Sequence, residues 1–437
     1  MRFTPWAHRL ALTLSLSAAA ALTACGGGGS SDSKTQVRLL NATRSYAQLD
    51  LTVNDKTINS KVAYAAVGEY GTVDTGSTAS RVLESSVGTS ISATTPTLNA
   101  GSNYTYITYG FAGTVRTTLL EETQTAPEAN KAKLLILNLA PDAGSLDVYV
   151  TSATSCALTN ETALVSNLGG GNGSGYNQIN SGSFRVCVTG YSRRGDLRLE
   201  IPAITLDSAS VNTLILTASD GGVLVNGITM VQKGAAKNYP TTLTRVRAVN
   251  ALAGAPIVSA TIAGNNLLPA SVPPNTTDYA SFAAGANTTS VLINGVQAGP
   301  TSTTFAAGGD YTMLIWGTAA DPKVVVLSDD NRLPTVSGNV KIRLVNGLSV
   351  AGSLTTLNVD YQSQASNVLP GTSSLPASIG SSTGSVVTVN SPLQVDALYN
   401  PSAGTTSGLT PLTSNGVYTI FVMGDPAAPK GKLSKDR

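Results

Sequence analysis

The sequence predicts an all-β chain of tandem sandwiches, and three observations predict it. Apolar residues recur with a period of two: Leu49, Leu51 and Val53, like Leu146, Val148 and Val150, share one face of an extended strand. Such runs are rich in Thr, Val, Ile and Tyr, and Gly, Asn and Ser interrupt them roughly every 8–12 residues, the rhythm of strands and turns. One phrase returns four times, as Val37-Arg38-Leu39-Leu40-Asn41, Leu134-Leu135-Ile136-Leu137-Asn138, Val246-Arg247-Ala248-Val249-Asn250 and Ile342-Arg343-Leu344-Val345-Asn346. The interval of roughly 100 residues suits an immunoglobulin-like sandwich. It exceeds the ~20–50 residues of propeller blades and solenoid repeats. The expected architecture is four tandem immunoglobulin-like β-sandwich domains behind a lipoprotein signal peptide.

Residues 1–24 read as that signal. A basic start (Arg2, His8, Arg9) precedes an apolar run from Leu10 to Leu22, too short to span a bilayer. The ending Leu22-Thr23-Ala24-Cys25 resembles the bacterial lipobox, which implies that Cys25 is the lipidation site and first residue of the mature chain. Acyl chains at ~0.8 kcal/mol per buried CH₂ would anchor it to the membrane. Residues 25–35 form a Gly/Ser tether. Gly26 stands where an aspartate would imply inner-membrane retention, so the expected location is the bacterial outer membrane, periplasmic or surface-exposed.

The repeats are placed at 36–122, 132–233, 244–330 and 340–430, the last one diverged. Joints at 123–130, 234–242 and 331–339 each carry one proline, Pro127, Pro240 and Pro334. Each repeat also has a closing phrase, such as Tyr104 to Gly110, Tyr311 to Gly317 and Tyr418 to Gly424. A middle element pairs a tyrosine with an apolar residue and a glycine: Tyr70, Val73, Gly76; Tyr176, Ile179, Gly182; Tyr279, Phe282, Gly285. In the fourth repeat this element has decayed. The second repeat holds Cys156 and Cys187, read as a structural disulfide because export oxidises paired thiols and no C-x-x-C motif is present. Alternation puts Phe184, Val186 and Val188 on one face of their strand and Cys187 on the other.

The opening phrase, the Leu146-Asp147-Val148-Tyr149-Val150 strand and the closing Tyr-Thr phrase together resemble the bacterial domain-of-unknown-function family 4397. That resemblance implies exported, often lipid-anchored envelope proteins with tandem domains. It brings no activity and no catalytic residues. It is strongest across repeats one and two, weaker in repeat three, where Ser259-Ala260 replaces the aspartate of Asp50 and Asp147, and weakest in repeat four.

Composition narrows the chemistry. Charged residues make up 12 % of the 437, about half the roughly 25 % of ordinary globular chains. Loss of Arg2 and Arg9 with the leader makes the mature chain formally neutral, so no nucleic-acid partner is expected. The single histidine, His8, lies in the leader. Histidine-based triads, histidine general bases and nearly all catalytic zinc sites are thereby excluded. No catalytic residue, metal ligand or cofactor is assigned.

Local motifs yield simpler readings. Asp74-Thr75-Gly76-Ser77 has the form of an aspartic-protease signature but lacks a second copy. It occupies the slot of Asn180-Ser181-Gly182 and Ala283-Ala284-Gly285, so it is read as a turn with a positive-φ glycine. Gly169 to Gly175 is read as a flexible loop, since a phosphate-binding loop ends in Gly-Lys-Ser/Thr. Asp142, Ser145 and Asp147, and Asp329-Asp330-Asn331, offer too few oxygens for calcium and are read as turn and linker residues. Asp50 and Asp147 either bond backbone groups at a sheet end or lie on solvated faces. Tyr104, Tyr106, Tyr109 and Trp316 are read as core rather than as sugar-stacking platforms. Lys430, Lys432, Lys435 and Arg437 are read as a frayed, solvated tail.

The preferred function is a lipid-anchored, non-catalytic structural or binding array, in contact with envelope proteins or glycans. The alternative is a carboxylate-based, glycosidase-like hydrolase, which requires two facing acids with perturbed pKa values in one cleft.

Overall fold

The computed structural model describes residues 34–391, 396–403 and 407–437. The leader and Cys25 lie outside the described residues. Each repeat is organised around two parallel strands. The opening strand Lys34–Asn41 pairs with the closing strand Asn103–Tyr109. The same pairing joins Lys131–Leu139 to Ser210–Ala218, Leu243–Asn250 to Asp310–Gly317, and Asn339–Leu348 to Val417–Gly424. Parallel neighbours need a long crossover. Here the crossover supplies the second sheet, such as Gln48–Val53, Lys56–Ala63, Ser80–Glu84 and Ser90–Thr94 in the first repeat. The opening and closing phrases are therefore distant in sequence and adjacent in space.

The central strands are apolar at consecutive positions because both of their faces are buried. One face enters the core of its own sandwich: Val37, Leu39, Tyr104 and Tyr106 pack against Leu49, Leu51 and Val82. The opposite face meets the neighbouring repeat. Leu40, Ile107 and Tyr109 of repeat one pack with Leu139, Ile215, Ile228 and Met230 of repeat two. Val249, Leu314 and Trp316 of repeat three pack with Val345, Phe421 and Met423 of repeat four. The repeats thus form two face-to-face pairs, one-with-two and three-with-four.

The pairs also touch each other. The Gly221 N–H donates to the Gly308 carbonyl at 2.8 Å, and Asn331 N–H donates to the Gly221 carbonyl at 3.2 Å. Leu333 N–H donates to Asp142 Oδ1 at 2.7 Å, and Ser281 Oγ to the Leu197 carbonyl at 3.0 Å. The 331–339 joint is consequently packed against repeat two instead of standing free as a spacer.

Other local readings change too. The glycine run is a turn entering the strand Asn172–Asn180, and its glycines permit close packing. A Cβ on Gly170 would meet Pro141 Cα at 2.5 Å, and one on Gly173 would meet Leu137 at 2.9 Å. The 234–242 joint contains the strand Ala236–Tyr239, and the first strand begins at Lys34, inside the expected tether. The expected frayed tail is the strand Lys430–Lys435, paired with the closing strand of repeat four. The middle element of repeat four survives as Ala377–Gly380, with Ile379 opposite Val340 just as Phe282 lies opposite Thr244. Pro376 stands in the tyrosine's place, so the strand persists although its signature is lost.

Candidate functional site

The recurring residues have structural duties. Asn41, Asn138 and Asn346 are fully buried, and each accepts a backbone N–H two residues ahead while donating to a carbonyl of the second sheet. Asp147 accepts Ser166 Oγ at 2.6 Å, Asn167 N–H at 2.9 Å and Ser192 N–H at 2.9 Å. Asp50 accepts Lys61 N–H at 2.7 Å and Ser85 Oγ at 2.6 Å. Both aspartates are backbone latches. Gly76, Gly182 and Gly285 all have positive φ, as a turn in that slot requires. Tyr104, Tyr106, Tyr109 and Trp316 are buried. Cys156, in the loop after Leu146–Thr151, is bonded to Cys187, whose side chain faces away from Val186 and Val188.

A second set of residues carries charge into the interfaces. In three repeats an arginine of the opening strand, a threonine of the closing strand and an acid 17 residues after the threonine come together. The sets are Arg38, Thr105, Glu122; Arg247, Thr312, Asp329; and Arg343, Thr419, Asp436. In repeat two the arginine's place is held by Leu135. Between repeats three and four the charges are exchanged: Arg247 pairs with Asp436, and Arg343 lies 2.9 Å from Asp329. Tyr279 stacks beneath Arg247 at 4.6 Å and donates its hydroxyl to Asp329 at 2.6 Å. The arginines stand inside the quoted opening phrases, and the shared 17-residue spacing was the signal that could have exposed their partners. Asp329 is therefore a buried ion-pair residue, in place of the linker carboxylate expected.

Where repeats two, three and four converge, these charges border a cavity of about 810 Å³. Repeat two contributes Arg193 and Arg198 from the hairpin after Gly190, repeat three contributes Arg245 and Arg247, and repeat four contributes Lys435 and Arg437. The acids on the wall are Asp196, Asp278 and Asp436. Arg198 Nη2 lies 2.6 Å from Asp196. Arg245 packs over the Tyr279 ring at 4.4 Å and sits 3.5 Å from Asp310 behind the wall. Burial pushes the Asp310 carboxyl up to about 6 against the opposing pull of Arg245. Burial lowers Arg437 to about 10, against the pull of Asp142 and with smaller repulsion from Arg198 and Arg245. Far from fraying, Arg437 donates to the Pro141 carbonyl at 2.7 Å.

A second cleft, of about 440 Å³, lies between repeats one, two and four, with Phe111, Asp142, Asp330, Arg332 and Lys341 on its wall. Asp142 is raised by burial, only partly countered by the Leu333 N–H. Burial also pushes Asp330 upward, but hydrogen bonds from Arg332 and Lys341 prevail and hold it at about 2. Among the described residues, no three His, Cys, Asp or Glu side chains group as metal ligands do. Asp142 and Asp147 serve backbone groups, while Asn331 donates to Asp310 at 2.8 Å.

The comparisons with known proteins are sparse. The profile of a family described as "Domain of unknown function (DUF4397)" matches residues 35–149 and 244–356, together just over half of the chain. Each match covers one whole repeat and the first strands of the next, so repeat three is matched as fully as repeat one. No curated protein matches. Among solved structures, a family 26 carbohydrate-binding module from Eubacterium rectale Amy13K, crystallised with maltoheptaose, aligns at 11 % identity. That alignment covers 46 % of this chain and 96 % of the module, with a TM-score of 0.15. The Bacillus anthracis TIE protein aligns at 10 % identity over 90 % of this chain and 67 % of its own, with a TM-score of 0.14.

Proposed function

The chain belongs to the domain-of-unknown-function family 4397, and from that premise we propose that it is a non-catalytic binding protein of the bacterial cell envelope. In this reading Cys25 is acylated and holds the chain at the outer membrane, and the four sandwiches act as one body. The observation that carries it is the charged cavity where repeats two, three and four meet. Its wall comes from strands and hairpins already fixed by packing, and a preformed concave site with converging polar groups is the usual form of a ligand site. The test has two parts. Detergent extraction and protease shaving of intact cells should place the chain in the outer-membrane fraction, and Cys25→Ser should release it. Purified full chain in detergent should then retain envelope glycan or protein on pull-down without generating new reducing ends. Glycan cleavage would overturn the non-catalytic reading.

One observation favours the hydrolase alternative: Asp142 and Asp330 border the same cleft and are shifted in opposite directions, as an acid and a nucleophile would be. Packing already accounts for both shifts, because burial raises Asp142 and the hydrogen bonds from Arg332 and Lys341 lower Asp330. Under this reading Asp142→Asn abolishes glycan cleavage. Under the binding reading there is no cleavage to abolish.

A further inference from the structure

The wall of the large cavity gathers six basic side chains, and two of them carry a buried nitrogen that makes no hydrogen bond among the described residues. Arg245 is 7 % exposed, and its Nη1 has no hydrogen-bond partner among the described residues. Arg437 is in the same position: its Nη2 reaches the Pro141 carbonyl, but its buried Nη1 reaches nothing. Arg193, beside them on the hairpin of repeat two, is exposed. Buried polar groups are nearly always paired, so a buried guanidinium nitrogen without a hydrogen bond is unusual. The nearest carboxylate, Asp310, faces that same Arg245 Nη1 at 3.5 Å as an ion pair without a hydrogen bond.

We propose that this cavity is an oxyanion site, in which Arg245, Arg437 and Arg193 take up a phosphate or carboxylate carried by a small ligand such as an acidic sugar. The inference rests on the binding reading and specifies the class of ligand. Guanidinium groups match planar carboxylates and tetrahedral phosphates through paired N–H donors, and such charge-assisted bonds are the strong ones. Cations outnumber anions on the wall, six to three. Asp196 and Asp436 are already committed to Arg198 and Arg247, which leaves Arg193, Arg245, Lys435 and Arg437 with Asp278 as the one remaining acid on the wall. Burial and, after it, the charges of Arg198 and Arg245 weigh against the Arg437 cation, and an anion in the cavity would stabilise it. The volume of about 810 Å³ lies within the range of roughly 300–1,000 Å³ for small-ligand sites.

The test is calorimetric titration of the purified full chain with inorganic phosphate, glucose 1-phosphate, glucuronate and, as the neutral control, glucose. Binding of at least one anionic probe is expected, weakening as salt is raised, with none of glucose. A preference among the three separates phosphate from carboxylate recognition. Arg245→Gln should weaken binding at least tenfold. Because that change also strands Asp310, Arg193→Gln provides the second variant. It sits at an exposed position and should weaken binding several-fold with an unchanged melting temperature. Equal affinity for glucose, or full affinity in both variants, overturns the proposal. If every anion fails while envelope material is still retained on pull-down, only the oxyanion inference falls. If nothing is retained, the binding reading falls with it.

Discussion

Arg343 and Asp329 lie on different repeats, 2.9 Å apart, with 3 % and 0 % of their side chains exposed. Arg247 and Asp436 make the reciprocal pair across the same interface. Two charged residues from each repeat are thus withdrawn from water, and each has its nearer ion-pair partner on the other repeat. The arrangement specifies which face meets which, because any other register leaves a buried charge unpaired. The family matches start at residues 35 and 244 and each run into the following repeat.

Arg343→Met removes one partner and strands Asp329 with Arg247 at 3.7 Å as its remaining cation. Breaking a buried pair in this way costs about 3–5 kcal/mol. Urea denaturation should show that loss in the transition of repeats three and four, with the first pair little affected. Arg343→Met combined with Asp329→Leu should recover much of it, and an equal or larger loss would contradict an ion-pair origin.

Trp316 and Gly371 test the apolar part of the same interface. Gly371 has φ +79°, and a Cβ there would meet the indole at 2.6 Å. Gly371→Ala should be destabilising for both reasons, backbone and packing. Trp316→Ala should cost about 3–5 kcal/mol, as large aromatic truncations in a core do. Melting temperatures of the two variants check this, and a wild-type value for Gly371→Ala would show that the glycine is dispensable.

Asp310 makes stability depend on pH. Its folded-state pKa of about 6 exceeds the reference value of 3.8, so the native state holds the proton more tightly than the unfolded chain. That stabilisation is complete below about pH 4 and is lost as pH rises through about 6. Relative to Asp310→Asn, the native protein should lose on the order of 3 kcal/mol between pH 4 and pH 7. Denaturation of both proteins across that range gives the difference directly, and a constant offset would refute the shift.

Cys156 and Cys187 close a loop with a sequence separation of 31, which in the chain-entropy model contributes roughly 3–4 kcal/mol. Reduction, or Cys187→Ser with Cys156→Ser, should lower the stability of repeat two by up to that amount. Proteolysis should then begin in the 152–164 loop, and unchanged resistance after reduction would show the loop to be held by other contacts.

The sequence by itself determined the units and the strands. Local chemistry specifies a period of two, proline at the joints, a glycine with positive φ at Gly76, Gly182 and Gly285, and two cysteines on an export route. Each of those signals is complete within a few residues. What only tertiary structure decided was the use of the second face. The opening phrases are apolar at consecutive positions, and nothing in Leu134 to Leu137 says whether the second side meets a sheet, a neighbouring repeat or a membrane. Arg38, Arg247 and Arg343 stand in those same phrases, but their acidic partners are Glu122, 84 residues on, Asp436, 189 residues on, and Asp329, on the preceding repeat. The cavity is still less legible, since Arg193, Arg245 and Arg437 come from three repeats and share no motif. Periodicity reports the environment of one strand, whereas a site between domains depends on how far-apart surfaces pair. That pairing is settled by burial and charge matching over the whole assembly.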